Sequence, residues 1–576
     1  MWLATIQSPP SPLCADAFHS YLKNHPDPLW VEQLVRALRE GFPIGYTGPR
    51  TTYRAPQRPH TPLAAQKIRD EFYDEVDRGR MLGPFTSLPT TGNFHFWRTA
   101  PTFAIPKKYG TKLRRIEHLS FPRGSSVNDF IDKLDFPVHF ASVDATIARI
   151  VTAPEGSLWS GWDIQDAYRN VLLHPADVPL FGNEFEDGFY IQLRLGFGGS
   201  SFPSLFDQIG HGAEFAYETA TDITSVMSII DDFLGLHSES AINDKVQAER
   251  ECEQIRKVSS DLGLPLHPTK CWWCQTEFEF LGVGFDTLTR ECYIPGDKRA
   301  RYLASVTELL DNLETHQTTV PKLRQVLGQL CYVAAIIRVG RTRMFYLFRC
   351  LKRAISRAVE VLGPWARRLK RFRGVLNTVF LSSHAIDDLT WWKALLTDLP
   401  RRRLLLKPLH MYDLQELPLV TTDASDWGIG GWYQHGDTTF FFSIQFSELG
   451  CLKHITYTEL FALLVATFLW DHMWSGTHVR WQTDCKAHVT GLWKIRTKAP
   501  ELLPLHDMLD LRAARLGYVY APEHLPGTDN ELADDLSRNR NIEAISRRPG
   551  FLRCRPTIEL MPSHFSSQLQ LAYTKQ

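Results

Sequence analysis

The chain has 576 residues, with 64 Lys or Arg against 64 Asp or Glu, so its formal charge at neutral pH is zero. That excludes a uniformly basic nucleic-acid coat but not a local basic groove, because net charge does not say where charge sits. Hydrophobic residues at 44% and charged residues at 22% exclude a disordered chain and predict three to four folded domains at roughly 150 residues each. The longest apolar run, Phe461 to Trp470, is about half of the roughly 20 residues a membrane span needs. The opening residues show no basic segment followed by an apolar one, as a secretory leader would. The chain reads as soluble, with no membrane association. Among ten cysteines, only Cys271 and Cys274 form a CxxC, and no second pair completes a tetrahedral zinc set. They flank two tryptophans and read as packing residues. Reduced thiols of this kind suit the cytoplasm or nucleus.

In chain order, residues 1–63 form an extension rich in Pro, His and Arg. Val31, Leu34, Val35 and Leu38 predict one short helix there, stopped by Gly41. A second helix starts near Ala64, with Ile68, Phe72 and Val76 on one face and Gly79 at its end. Residues 64–290 mix short strands, Gly/Pro turns and helices, an α+β pattern. Residues 291–415 read as helical and basic: from Arg338 to Arg373 there are twelve Lys or Arg and one acid, Glu360. A separate α/β module spans 416–540, and 541–576 reads as a tail.

The chemistry lies in acids at strand ends. Asp163 closes an apolar strand in Leu158-Trp-Ser-Gly-Trp-Asp163, with Tyr168 five residues later. Asp231 and Asp232 interrupt the apolar stretch Ser228 to Leu236, as at the tip of a tight hairpin. Burying paired carboxylates is costly unless a cation neutralises them, and Mg²⁺ is the hard ion suited to carboxylate oxygen. Two such ions about 4 Å apart activate a 3′-hydroxyl and stabilise leaving pyrophosphate. An adjacent acid pair taken alone is more often a solvated turn.

The later module repeats this logic. Asp423 ends the strand beginning near Leu417 and is followed by Gly428, Gly430 and Gly431, read as hairpin residues. Glu459 sits in the first turn of an apolar helix, and Asp484 ends an alternating strand from His478. Asp534 lies early in a helix that Asp529 or Asn530 could cap; Asp535 beside it is the alternative. Four acids from two strands and two helices converging on one point make a two-metal nuclease site.

Ordered motifs frame the first set of acids. Phe103-Ala-Ile-Pro-Lys107 and Arg114 precede it, and Leu195-Gly-Phe197-Gly-Gly-Ser-Ser separates its two parts. Leu262-Gly-Leu-Pro-Leu-His-Pro-Thr-Lys270 and Phe280-Leu-Gly-Val-Gly follow. This series resembles the fingers and palm of reverse transcriptases, and the later module resembles the ribonuclease H domain of retroelements. His118 to Ile131 and Gly41 to Tyr46 most resemble DIRS-type, tyrosine-recombinase retrotransposons. The resemblance implies an α+β right-hand polymerase of fingers, palm and thumb, followed by an α/β ribonuclease H-like domain. It implies RNA-directed DNA synthesis and cleavage of RNA in RNA–DNA hybrids, both using Mg²⁺ or alternatively Mn²⁺. The implied partners are an RNA template, a DNA primer, the hybrid and dNTPs, with recombinase and Gag-like proteins of the same element beside them.

By that resemblance Asp163, Asp231 and Asp232 bind the polymerase metals, and Asp423, Glu459, Asp484 and Asp534 bind those of the nuclease. Lys107 and Arg114 would clamp the triphosphate, Tyr168 would exclude a 2′-hydroxyl, and Phe197 would line the nucleotide pocket. Lys270 would donate a proton to pyrophosphate, and His524 would assist product release. Two positions depart from the pattern: Ile229 stands where Tyr or Phe is usual, and Gly196 replaces a common proline. The competing reading is a catalytically weak or domesticated nucleic-acid-binding scaffold. A recombinase reading lacks both motifs and length.

Overall fold

The first helices start where capping chemistry places them. Asp27 accepts from the Trp30 amide ahead of helix Pro28–Glu40, and Thr61 accepts from the Ala64 amide ahead of helix Pro62–Asp77. Each has proline in its first turn, where a missing N–H loses no helical bond. The computed structural model describes residues 11–57, 59–90, 95–106, 113–311, 317–363, 374–397, 403–404, 406, 409–446, 454–494 and 499–555. It is a mixed α/β chain that divides into two compact units, residues 1–146 with 156–280, and residues 147–155 with 281–576.

In the first unit, the predicted N-terminal extension is part of the core. Phe18, Leu34 and Val35 pack in one cluster with Trp162, Phe206, Tyr217 and Phe233. Strands β1 (Met81–Phe85), β5 (Gly182–Phe185) and β6 (Gly188–Gln192) form a sheet in the order β1-β6-β5. Strands β2 (Thr102–Pro106) and β3 (Leu113–Glu117) make an antiparallel pair. The central sheet joins β4 (Trp159–Asp163), β7 (Ser225–Ile229), β8 (Asp232–Leu236) and β9 (Trp272–Gln275) in the order β7-β8-β4-β9. Helix Phe202–Ala220 packs on it, and β10 (Glu277–Phe280) follows. Small residues let large ones close over the sheet: Trp272 lies against the Cα of Gly161, and Trp162 against that of Gly235.

In the second unit, β11 (Val283–Asp286), β12 (Glu291–Tyr293) and β15 (Arg403–Leu404) pair antiparallel, as do β13 (Gln317–Thr319) and β14 (Thr378–Phe380). Between them run helices Gly296–Asp311, Val320–Ile336, Phe345–Leu362 and Ser383–Thr397. Six strands then make one sheet: β16 (Leu419–Ala424), β17 (Gly428–His435), β18 (Thr438–Gln445), β19 (His478–Thr483), β20 (Val519–His524) and β21 (Phe551–Arg553). Their order is β20-β19-β16-β17-β18-β21, with β16, β19 and β20 parallel. Residues 541–555, predicted as tail, fold onto this sheet: β21 pairs with β18, and Ile545 packs with Phe441 and Leu536. The helical segment joins the same unit through buried polar contacts. Thr342 donates to Asp507 at 2.5 Å, and Arg343 pairs with both Asp507 and Asp388.

The glycines after Asp423 lie in the predicted hairpin, as residues of its second strand β17 paired antiparallel with β16. A Cβ on Gly430 would meet the Ser537 amide and the end of helix Glu531–Ser537, so absence of a side chain lets that helix touch the sheet beside Asp423. Gly430→Ala should therefore destabilise the second unit by about 1–3 kcal/mol. Gly328 is exposed inside helix Val320–Ile336, and a methyl group there would have no heavy atom within 4 Å. It should respond in the opposite sense, gaining about 0.5–1 kcal/mol as alanine. Urea unfolding of both variants checks the pair of signs.

Candidate active sites

Register brings the first acids together. Asp163 at the end of β4 stands directly opposite Asp232, the first residue of β8. Ile229 also faces Asp232 across the β7–β8 turn, so Ile230 and Asp231 alone make the connection. Ile230 holds φ 55, a left-handed conformation that a β-branched residue rarely adopts. The strained turn is tied down by the Ile164 amide, which donates to the Asp231 carbonyl at 2.8 Å.

Asp163 is 5% exposed. Its Oδ2 accepts from Lys270 Nζ at 2.7 Å, while Oδ1 is buried with no hydrogen-bond partner. Burial works against the Lys270 charge, but the Asp163 hydrogen bond and the charges of Asp163, Asp231 and Asp232 together outweigh it and raise the ammonium. Burial raises Asp231, and the Asp163 charge adds to this. Asp232 reaches solvent at the rim, yet the protein mass behind it and the Asp231 and Asp163 charges push it up to about 6. Three carboxylates with one lysine among them and an orphaned oxygen are the donor chemistry of a divalent cation. The three do not, however, bring one oxygen each within 4.8 Å of the others, as the acids of the second unit do.

Asp163, Asp231 and Lys270 border a cleft of about 1510 Å³ whose lining also includes Arg114, Tyr168 and Phe197. Tyr168 meets Phe197 and Phe206 edge-on, with ring centroids 5.9 and 5.8 Å away. Burial, with the Asp231 charge, pushes its phenol up to about 12. The Arg114 guanidinium lies 4.3 Å from the Phe197 ring centre, a cation–π contact that fixes both. Lys107 lies outside the described residues.

Behind this cleft lies a buried polar layer that no motif marked. Arg169 donates to Gln192 at 2.6 Å, Gln192 donates to Glu117, and Arg115 lies 3.6 Å from Glu117. The signal that could have found it is alternation along β3, which turns Arg115 and Glu117 inward and Arg114 outward.

The second unit gathers three of its four predicted acids. One oxygen each of Asp423, Glu459 and Asp484 lies within 4.8 Å of the others. Asp423 and Glu459 are buried on β16 and on helix Ile455–Trp470, one turn further in than predicted; Asp484 follows β19 and is exposed. Burial, together with Asp423 and Asp484, pushes Glu459 up to about 9, and its Oε2 has no hydrogen-bond partner. Burial and Asp484 push Asp423 up to about 6, against the Ser537 hydroxyl that donates to it at 2.7 Å. Asp534 stands apart, bonded to Arg538 at 2.7 Å and 4.0 Å from Arg540. Asn530 occupies the cap position of helix Glu531–Ser537 but makes no cap bond; its side-chain amide donates to Asp423 at 3.4 Å. Ser537 and Asn530 are thus two Asp423 partners that no motif marked. Asp535 receives the Asn541 amide at 3.4 Å. His524 ends β20, exposed, paired in register with Thr483 immediately before Asp484.

The Glu459 shift has a pH consequence. A folded acid pKa near 9 against an ordinary 4.5 means that the native state holds a proton the unfolded chain has lost. Without divalent cation, stability should fall as pH rises from about 4.5 to about 9. Glu459→Gln should flatten that slope; millimolar Mg²⁺ should raise the melting temperature of the wild type at alkaline pH but not that of the variant. Thermal melts across pH, with and without Mg²⁺, measure both.

No protein-family model matches the sequence, and no curated protein does. Among solved structures, the chain is similar to foamy viral protease-reverse transcriptase in three complexes, each at 14% identity. With the dRH form on double-stranded DNA the TM-score is 0.47, covering 89% of this chain and 82% of that one. With an RNA/DNA hybrid it is 0.46, covering 90% and 64%, and in a further double-stranded DNA complex 0.44, covering 89% and 97%.

Proposed function

We propose that the chain is an RNA-directed DNA polymerase joined to an RNA–DNA hybrid ribonuclease, of a retroelement most like the DIRS type. The observation that carries it is that Asp163 stands in register with Asp232, while Asp163 and Asp231 border a cleft also lined by Arg114, Phe197 and Tyr168. On this reading the first unit supplies fingers and palm, and the second supplies thumb, connection and nuclease. Mg²⁺ or Mn²⁺ held by the carboxylates would supply Lewis acidity at the attacking and leaving oxygens. Asp163 Oδ1 and Asp231 are the oxygens available for it. Arg114, with Lys107, neutralises triphosphate charge, and the Tyr168 ring, braced by Phe206, shapes the sugar side of the pocket. Lys270 carries its proton beside Asp163, ready for the leaving pyrophosphate.

In the nuclease, Asp423, Glu459 and Asp484 would hold the metal. Asp534 would join them by releasing Arg538, and His524 would sit at the rim to help product leave. On helix Phe345–Leu362 the exposed residues Arg349, Lys352 and Arg353 oppose a buried apolar face and offer sequence-independent phosphate contacts. Among the described residues no helix is long and apolar enough to cross a membrane. Template-primer and dNTPs are the substrates, recombinase and Gag-like proteins the element's other products, and cytoplasm or nucleus the site of action.

Two single substitutions test the assignment on one labelled RNA–DNA primer-template. Asp231→Asn should abolish Mg²⁺-dependent extension and leave RNA cleavage; Asp484→Asn should do the reverse, and neither should change duplex affinity. Unchanged extension in Asp231→Asn overturns the polymerase reading. A wild-type chain that binds the duplex but neither extends nor cleaves is a scaffold. Tyr168→Ala should lower the dNTP over rNTP preference at least tenfold; an unchanged ratio returns Tyr168 to the core.

A further inference from the structure

Cys271 and Cys274, adjacent in sequence motif, are not partners. The Cys271 thiol donates to the His267 carbonyl at 3.2 Å. Cys274 Sγ lies 3.2 Å from Cys252 Sγ, on helix Lys245–Leu262, and 3.7 Å from His237 Nε2, just past β8. One donor atom of each of His237, Cys252 and Cys274 falls within 4.8 Å of the others.

Behind His237 stands Glu251, and both side chains are 0% exposed. Glu251 accepts from His237 Nδ1 at 2.7 Å, from Gln247 at 2.9 Å, and from the Ser238 amide at 3.2 Å and its hydroxyl. A carboxylate so surrounded by donors takes the Nδ1 hydrogen, so Nε2 presents its lone pair to the cysteines and to Ser160 Oγ, 2.7 Å away. A buried carboxylate on the far ring nitrogen is the arrangement that orients a metal-bound imidazole. Two thiols with an imidazole select a borderline-soft ion, not Mg²⁺.

Ser160 and Asp163 are three residues apart on β4, so their side chains leave opposite faces of the sheet. This cluster is therefore separate from the acids of the cleft. We propose that His237, Cys252 and Cys274 form a structural zinc site on the far face of the sheet, with the Ser160 hydroxyl or a solvent oxygen in the fourth position. Zinc–sulfur bonds of about 2.3 Å in tetrahedral geometry place two sulfurs about 3.8 Å apart, so the thiols open by roughly half an ångström. Binding sends their two protons to solvent. The ion would pin the end of β8, helix Lys245–Leu262 and β9 to one another, and β9 begins two residues after Lys270.

The test uses the full chain, purified under reducing conditions without chelator and held in excess Mg²⁺ to occupy the carboxylate sites. Elemental analysis should find one zinc per chain in wild type and in Cys271→Ser, and none in Cys252→Ser or Cys274→Ser. A zinc chelator should lower the melting temperature of wild type but not of those two variants. Should the variants fail to fold, alkylation of wild type decides: zinc must shield Cys252 and Cys274 while Cys271 reacts equally with and without it. A wild-type chain that neither carries zinc nor takes it up at micromolar concentration overturns the proposal. So does a Cys252–Cys274 disulfide in the reduced preparation, seen as the loss of two hydrogens by intact mass.

Discussion

An ionised carboxylate cannot leave water without a counter-charge, and both clusters in this protein are built against that rule. Asp163, Asp423 and Glu459 are each nearly covered, with like charges on neighbouring strands or helices. On Asp232, Asp423 and Glu459 repulsion and desolvation act in the same direction and raise the protonation constants. The fold answers with partial compensation: one lysine on Asp163, one serine hydroxyl and one amide on Asp423. Glu459 receives the Ala424 amide, at 3.3 Å. What is left over, an orphaned oxygen in each cluster, is the affinity available to a cation.

Holding such groups in place requires a rigid frame. Around Asp163 it is supplied by β4, clamped between β8 and β9 and overlaid by aromatic stacking of Trp162 with Phe233 and Trp273. The register leaves Asp163 and Asp232 no freedom to slide, since a one-residue slip would turn Asp163 to the other face. Around Asp423 the frame is the β16–β17 pair with helix Glu531–Ser537 resting on Gly430. That close approach places Ser537 and Asn530 on the Asp423 carboxylate, and it keeps Asp534 near enough to raise it. Asp534 itself is held by the Arg538 guanidinium, with the like charges of the acid cluster beyond it.

Much of this was legible from residues alone. An apolar strand ending in an acid, and two acids inside an otherwise apolar stretch, drew their meaning from the ordered motifs around them, because an adjacent acid pair taken alone reads as a solvated turn. The helix of Val31, Leu34, Val35 and Leu38 was legible from periodicity, and all four are buried. The rest was not legible, for identifiable reasons. The glycines after Asp423 read as hairpin residues, and β16 and β17 form that hairpin, but a glycine needed for close approach of a helix and one needed for positive φ are the same letter. Residues 1–63 read as an extension because they are rich in Pro, His and Arg, while a few well-spaced apolar side chains suffice to join a core. Cys271 and Cys274 read as packing residues because their spacing is visible and the contacts of Cys274 with Cys252 and His237 are not.

The sequence by itself determined the local pieces: which stretches are strands or helices, which ends carry acids, and which chemistry those acids suit. These follow from short-range rules of periodicity, capping and the cost of burying charge. Tertiary structure alone decided which pieces meet. Asp163 faces Asp232 because β4 lies between β8 and β9, Cys274 meets Cys252 and His237 because a helix packs beside β9, and Ser537 reaches Asp423 because its helix rests on Gly430. Such contacts depend on sheet order and on which small residue allows close packing, and neither is written in any local window.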